Sequence, residues 1–212
     1  MARPDPDRPG AQQWVPDGAD VDTLAAAAPA CRGCELWAPA TQVVFSTGSP
    51  TARLALVGEQ PGDREDREGE PFVGPAGRML DRALDEAGIA RDDVYLTNAV
   101  KHFRFDERGQ RRIHKTPAVA HIRACLPWLT AELAAVRPRV VVALGATAAR
   151  AVLGHDVTVG DVRGRVLDEA GARVVVTAHP SSILRLRDDV DRTAALAALV
   201  ADLRTASGAA AS

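Results

Sequence analysis

The chain has 212 residues, 46% of them hydrophobic and 25% charged, which excludes collagen, bulk disorder and a disulfide-rich scaffold and leaves one globular domain. The formal net charge of −2 does not indicate a polyanionic partner, although residues 101–115 form a local basic stretch. No apolar run approaches the roughly 20 residues that cross a bilayer, and the N-terminus lacks a secretory signal. We therefore expect a cytoplasmic protein without a membrane partner.

In chain order, the sequence predicts a domain over residues 21–206 between two disordered tails, 1–20 and 207–212. Apolar runs predict strands at residues 53–58, 93–98, 139–144 and 173–177. Helical periodicity predicts four helices: one at residues 76–87, one from Thr116-Pro117 onward, a short one after Gly145 that ends at Leu153, and one at residues 191–204. Gly88 stands where a helix C-cap is expected.

Strands made of continuous apolar residues are buried on both faces, as in a parallel sheet. Their alternation with helices predicts an α/β fold, a three-layer α/β/α sandwich around a central four-stranded parallel sheet. Ligands of such sheets bind beyond the carboxyl ends of the strands. The segments at those ends are GEQPG, TNAVKHF, GAT and AHPSS.

A turn, a loop aromatic and a strand end together offer the features of a pocket for a flat ring. The turn from Gly58 through Gln60 can direct backbone N–H groups at a ligand. Phe72, between proline and glycine, offers a stacking surface, and Asn98 presents a donor beside an acceptor. Taken singly, each has a structural alternative: a turn, a minor core residue or a cap.

His179, Ser181 and Ser182 follow the fourth predicted strand. The histidine is suited to polarising a carbonyl oxygen and the two hydroxyls to binding phosphate. A single histidine at a strand end is a structural residue about as often as it is a functional one. This segment alone therefore does not indicate a function.

The ordered series GEQPG, EPFVGPAG, YLTNAVK and AHPSSILR resembles the uracil-DNA glycosylase superfamily, nearest the iron–sulfur family 4 enzymes, over about residues 24–204. The resemblance implies that Gly58, Gln60, Phe72 and Asn98 bind uracil and that His179 stabilises charge on uracil O2. The partner implied is uracil-containing DNA, preferably single-stranded because extruding an unpaired base is cheap. Arg185 would fill the space that the base leaves.

The same resemblance implies a [4Fe–4S] cluster. Cys31, Cys34 and Cys125 match three of the four family cysteines, but Lys101-His102-Phe103 stands where the family has Lys-Cys-Arg-Pro. Imidazole also binds cluster iron, so we expect Cys31, Cys34, His102 and Cys125 as ligands. A cluster with three ligands and one labile iron, or a structural zinc, is the alternative.

The insertion at residues 103–116 reads FRFDERGQRRIHKT. Together with GEQPG and the Lys-His replacement, its Arg111-Arg112-Ile113-His114 run resembles the UdgX subclass. That resemblance implies that His114 captures C1′ of the deoxyribose covalently after uracil leaves, which ends catalysis after one turnover. Glu59 would accept a proton or steer the sugar.

The DNA-binding residues expected from charge and resemblance are Lys101, Arg111, Arg112, Lys115, Ser181, Ser182 and Arg185. We expect a monomer. Two alternatives stay open at this point: a multiple-turnover family 4 glycosylase with an extended loop, and a non-catalytic, metal-dependent nucleic-acid-binding module.

Overall fold

The structure, a computed structural model, describes residues 8–169 and 171–212. Its strands are β1 (Ser46–Gly48), β2 (Leu54–Gly58), β3 (Val94–Asn98), β4 (Phe105–Arg108), β5 (Arg111–His114), β6 (Val140–Leu144), β7 (Val166–Glu169) and β8 (Ala172–Thr177). Its helices are α1 (Val21–Ala27), α2 (Asp63–Glu68), α3 (Pro75–Ala87), α4 (Val119–Val136), α5 (Ala146–Leu153), α6 (Val159–Val162), α7 (Pro180–Leu184) and α8 (Asp189–Ala211).

The main sheet has the strand order β1-β3-β2-β6-β8-β7. Its four inner strands are parallel to one another and coincide with the four predicted strands, which confirms the predicted fold class. Every residue of β2, β3 and β6 is buried, as expected for strands covered on both faces. The sequence did not reveal the short edge strands β1 and β7, which pair antiparallel at the two margins.

Helices cover both faces of the sheet and complete the three layers. On one face, α3 and α8 contribute Leu80, Leu84 and Leu199 to the core. On the other face, α4 and α5 contribute Trp128 and Ala148. The N–H of Gly88 bonds back to Asp85, and its φ of 76° confirms the predicted C-cap.

Two helix boundaries differ from the prediction. α4 begins at Val119 rather than at Thr116-Pro117, because the Ala118 backbone is extended and its N–H donates to Nδ1 of His121 at 2.9 Å. α8 runs on to Ala211 and therefore includes most of the segment predicted to be a disordered tail. By length and composition α8 would pass for a membrane span, but its Leu199 is fully buried in the core.

The predicted N-terminal tail lies only partly within the described residues, since residues 1–7 fall outside them. Within residues 8–20, Ala11 is buried, and its N–H donates to the carbonyl of Ala124 in α4 at 2.8 Å. Ala11 thus packs beside the helix that carries Cys125.

Candidate functional site

A pocket of about 530 Å³ opens at the carboxyl ends of β2, β3 and β8. Phe72, Asn98 and His179 all line it. Asn98 and His179 come from the ends of two strands, and Phe72 comes from the loop before α3. Gly58 lies directly beneath Phe72 and Asn98. A Cβ atom at this position would stand 2.3 Å from Asn98 Oδ1 and 2.6 Å from Phe72 Cζ. Only glycine therefore allows the ring and the amide to approach the end of β2 this closely.

Phe72 is held in a strained backbone conformation, with φ at 59° in the left-handed region. Gly77 of α3 packs directly on it: a Cβ at Gly77 would stand 1.8 Å from the Phe72 carbonyl oxygen. Such strain persists only where the surroundings fix the residue, and here it aims an aromatic ring at the pocket.

Glu65 on α2 ties the two glycine-rich loops of the pocket together. Its carboxylate accepts N–H bonds from Gly62 at 3.1 Å and from Gly74 at 2.8 Å. Sequence reasoning missed this buried residue, although the acidic run DREDRE directly after GEQPG was a visible signal.

His179 is fixed in one neutral form. Its Nδ1 accepts the backbone N–H of Ser181 at 3.2 Å, so the neutral ring carries its proton on Nε2. Burial, together with the nearby His114 and Arg185, lowers the pKa of His179 to about 4. The ring can therefore donate from Nε2 without being charged.

The insertion that the sequence suggested was a loop is a β-hairpin formed by β4 and β5. Side chains alternate along a strand, so Arg112 and His114 share one face of β5 while Arg111 and Ile113 share the other. His114 lines the pocket, with its Nε2 3.3 Å from Oε1 of Glu59.

The other oxygen of the Glu59 carboxylate, Oε2, accepts a hydrogen bond of 2.5 Å from Oγ1 of Thr147, at the start of α5. Glu59 thus bridges the GEQPG turn, the hairpin histidine and the GAT segment that follows β6. Sequence reasoning placed GAT at the correct edge of the sheet but assigned it no residue.

Arg112 was predicted to contact DNA, and the structure contradicts this. Its side chain is only 14% exposed and pairs with two acids of α2, Asp63 and Asp66, the second of which is fully buried. The guanidinium also lies 5.0 Å from the centre of the Phe105 ring. Arg112 therefore fastens the hairpin to α2.

Gln60 fastens the base of the same hairpin. Its amide nitrogen donates to the carbonyls of Arg104, at 3.1 Å, and Lys115, at 3.3 Å. Its amide oxygen accepts the N–H of Arg104 at 3.0 Å. Gln60 was predicted to help bind uracil through backbone N–H groups of its turn, and its side chain is engaged by the hairpin backbone.

Lys101 was also predicted to contact DNA, and it is fully buried. Its ammonium group forms an ion pair with Glu132, which is also fully buried, and donates to Thr97 Oγ1 and to the carbonyl of Asn98 at 3.0 Å. Lys101 therefore supports the end of β3 from inside the protein and cannot reach a ligand outside it.

Of the remaining predicted DNA contacts, Ser181 and Arg185 line the pocket. Arg111 and Arg185 are exposed, and Arg185 lines the pocket. Lys115 is exposed and paired with Asp106 at 3.0 Å, while Ser181 and Ser182 are half-buried. The Ser182 hydroxyl donates to the carbonyl of His179 at 2.7 Å, so Ser182 also braces α7.

The four predicted metal ligands are buried and line one cavity beside α4: Cys31, Cys34, His102 and Cys125. Backbone N–H groups point at two of the sulfurs: Gly33 N–H at Cys31 Sγ (3.4 Å) and Lys101 N–H at Cys125 Sγ (3.3 Å). Hydrogen bonds from backbone N–H groups to cysteine sulfur are also found at the cluster ligands of iron–sulfur proteins.

Burial shifts the pKa values of three of these groups. It raises the pKa of the Cys125 thiol to about 12 and that of Cys34 to about 11, and it lowers the pKa of His102 to about 4. Neutral imidazole is the form that binds metal. Within the described part of the chain, no three His, Cys, Asp or Glu side chains converge tightly enough to hold a single metal ion.

Comparison with known proteins decides the family. The model of the uracil DNA glycosylase superfamily matches residues 45–204. The chain belongs to this superfamily. A type-4 uracil-DNA glycosylase of Thermotoga maritima is 40% identical over 161 residues, covering 75% of this chain and 80% of the relative.

Two further members of the superfamily show how broadly the likeness extends. A type-4 uracil-DNA glycosylase of Archaeoglobus fulgidus is 34% identical over 172 residues, covering 76% of this chain and 83% of the relative. A type-5 uracil-DNA glycosylase of Pyrobaculum aerophilum is 36% identical over 169 residues, covering 72% and 71%. These glycosylases match most of the folded chain.

Proposed function

We propose that this protein releases uracil from DNA and then bonds covalently to the exposed deoxyribose through His114, acting once per molecule. Uracil release is supported by the type-4 relatives and by the pocket that Phe72, Asn98 and His179 line. Capture is supported by one observation above all: His114 lies in that pocket with its Nε2 3.3 Å from Glu59.

In the first step, the glycosidic C1′–N1 bond breaks and both bonding electrons leave with uracil. The negative charge spreads onto uracil O2, where the Nε2–H of neutral His179 is suited to donate. Phe72 stacks on the base, and Asn98 pairs with its edge and leaves a wrong pyrimidine with unpaired polar groups. A base in a single strand enters this pocket at the smallest unstacking cost.

In the second step, a ring nitrogen of His114 donates its lone pair to the electron-poor C1′. Proximity favours imidazole over water because the hairpin holds the ring inside the pocket. The alkylated ring then loses its remaining N–H proton, and Glu59, the nearest carboxylate, accepts it. The resulting C–N bond has no good leaving group, so the protein remains attached to the DNA.

We also propose that Cys31, Cys34, His102 and Cys125 hold a [4Fe–4S] cluster that joins the N-terminal segment to the end of β3. Three thiols and one imidazole around one cavity suit cluster iron. A structural zinc ion accepts the same donor types, so metal analysis of the purified protein distinguishes the two. When bound, the cluster serves as a structural cross-link.

The test of capture is denaturing electrophoresis of the protein mixed with an oligonucleotide that contains one uracil. We expect a protein–DNA band that survives boiling in SDS, reaches one DNA per protein and is absent with thymine. His114→Ser should remove this band while free uracil still appears. His155→Ser, which changes another exposed histidine far from the pocket, is the matched control and should keep the band.

Two outcomes would count against the proposal. Free abasic product rising well above the protein concentration would show a conventional multiple-turnover glycosylase. A band that persists in His114→Ser would place the nucleophile elsewhere. The cluster is tested separately by iron, sulfide and zinc analysis of the purified protein, with four iron atoms per chain expected and zinc in place of iron contradicting it.

A further inference from the structure

Thr147 was not among the predicted site residues, but its side chain contacts Glu59, which was. It follows β6 in the GAT segment, and its hydroxyl donates to Oε2 of Glu59 at 2.5 Å. The opposite oxygen of the same carboxylate, Oε1, faces Nε2 of His114 at 3.3 Å. A carboxylate held by one oxygen cannot turn freely, so this bond decides where the other oxygen points.

The backbone that carries Thr147 is itself fixed. Gly145, just before α5, has a φ of 89°, and its N–H donates to the carbonyl of Thr177 at 2.8 Å. A Cβ on Gly145 would stand 3.1 Å from the Cβ of His179. The start of α5 is therefore locked to the end of β8, and Thr147 is placed relative to both histidines of the pocket.

The Glu59 side chain needs such a constraint, because it is 22% exposed and faces a His114 side chain that is 50% exposed. A second cavity of about 480 Å³, lined by Glu59, His114 and Thr147, lies beside them. With open space on that side, a carboxylate without the threonine bond has other rotamers available to it.

We propose that Thr147 is a positioning residue for the capture step: it fixes Glu59 so that Oε1 stays against His114. This rests on the proposed function. Glu59 then meets the imidazole as it alkylates and accepts its N–H proton, while Oε2 keeps the threonine hydrogen bond throughout. Thr147 itself exchanges no proton and touches neither uracil nor the sugar.

The test compares Thr147→Val, which keeps the shape and removes the hydroxyl, with Thr147→Ser, which keeps the hydroxyl. Rates of adduct formation are measured under single-turnover conditions over a range of uracil-DNA concentrations. We expect Thr147→Val to lower the maximal rate about 10- to 100-fold, as for the loss of one hydrogen bond to a charged group. The DNA concentration giving half the maximal rate should change less than about twofold.

Thr147→Ser should restore the maximal rate to within about threefold of the original, which a purely steric role would not predict. Thr193→Val, on the exposed face of α8, is the matched control and should match the original rate. If Thr147→Val folds poorly, as judged by its melting temperature, Thr147→Ala replaces it in the same comparison with Thr147→Ser.

Three results would overturn the inference: Thr147→Val as fast as the original, Thr147→Ser as slow as Thr147→Val, or a loss confined to the half-saturating DNA concentration. Each of these leaves the proposed function standing, because the unaltered protein still forms its adduct. If the unaltered protein forms no adduct at all, the proposed function falls and the inference falls with it.

Discussion

The ion pair between Lys101 and Glu132 allows a sharp test, because both side chains are fully buried. Lys101→Met keeps most of the stem and removes the ammonium group, which leaves the Glu132 carboxylate with only the hydroxyls of Tyr95 and Thr97, each at 2.8 Å. Removing one partner of a buried pair costs about 3–5 kcal/mol.

That cost converts into a change of melting temperature. For chains of 150–250 residues, 1 kcal/mol corresponds to roughly 2–4 °C, so Lys101→Met should lower the melting temperature by about 6–20 °C. The double variant Lys101→Met/Glu132→Gln removes the stranded charge and keeps an acceptor oxygen, so it should recover most of the loss. Lys115→Met, which breaks the exposed pair with Asp106, should cost less than about 1 kcal/mol.

The measurement is thermal unfolding followed by circular dichroism at one scan rate, on preparations of equal iron content. Equal iron content matters because the Lys101 N–H contacts the sulfur of Cys125. A Lys101→Met protein that melts within about 2 °C of the original would refute the reasoning, as would a double variant less stable than the single one. The salt dependence of DNA binding should stay unchanged in Lys101→Met, because a buried ammonium contacts no phosphate.

Three further outcomes follow from the site. Arg112→Met should slow adduct formation at least tenfold in the SDS-gel assay, because it frees the hairpin from α2. The control Arg111→Met changes an exposed residue and should weaken DNA binding without slowing adduct formation at saturating DNA; equal effects of the two variants would contradict the anchoring role of Arg112. In the His114→Ser variant, the single-turnover rate of uracil release should stay constant as the pH passes through 6.5, because burial lowers the pKa of His179 to about 4 and the ring is neutral above pH 4. A steep loss of rate below about pH 6.5 would contradict this. Gly58→Ala should reduce uracil release at least tenfold in the same assay, because its Cβ would displace the amide and ring above it, and an unchanged rate would argue against that close packing.

The central sheet could be predicted because its signal is local. The inner strands are rich in apolar residues, as strands buried on both faces of a parallel sheet usually are, and polar residues stand mainly at their ends. The edge strand β1 has three residues and no buried one, so nothing in Ser46–Gly48 separates it from a loop. The hairpin was missed because both of its strands are charged and carry no apolar alternation.

The pocket residues Asn98 and His179 could also be predicted, because parallel strands deliver the segments at their carboxyl ends to one edge of the sheet. The roles of Lys101 and Arg112 could not. A sequence shows a charge but not its partner, and the acids that pair with these cations are 31 residues from Lys101 and 46 and 49 residues from Arg112. Basic residues in a basic stretch were therefore assigned to DNA, although tertiary packing had already paired two of them.

The most direct test of the account is mass spectrometry of the protein after reaction with a uracil-containing oligonucleotide. Digestion of the protein and the DNA should yield a peptide that includes His114 and carries the mass of the deoxyribose fragment, with fragmentation placing that mass on the imidazole. Complete release of uracil with the His114 peptide unmodified would contradict covalent capture at this residue.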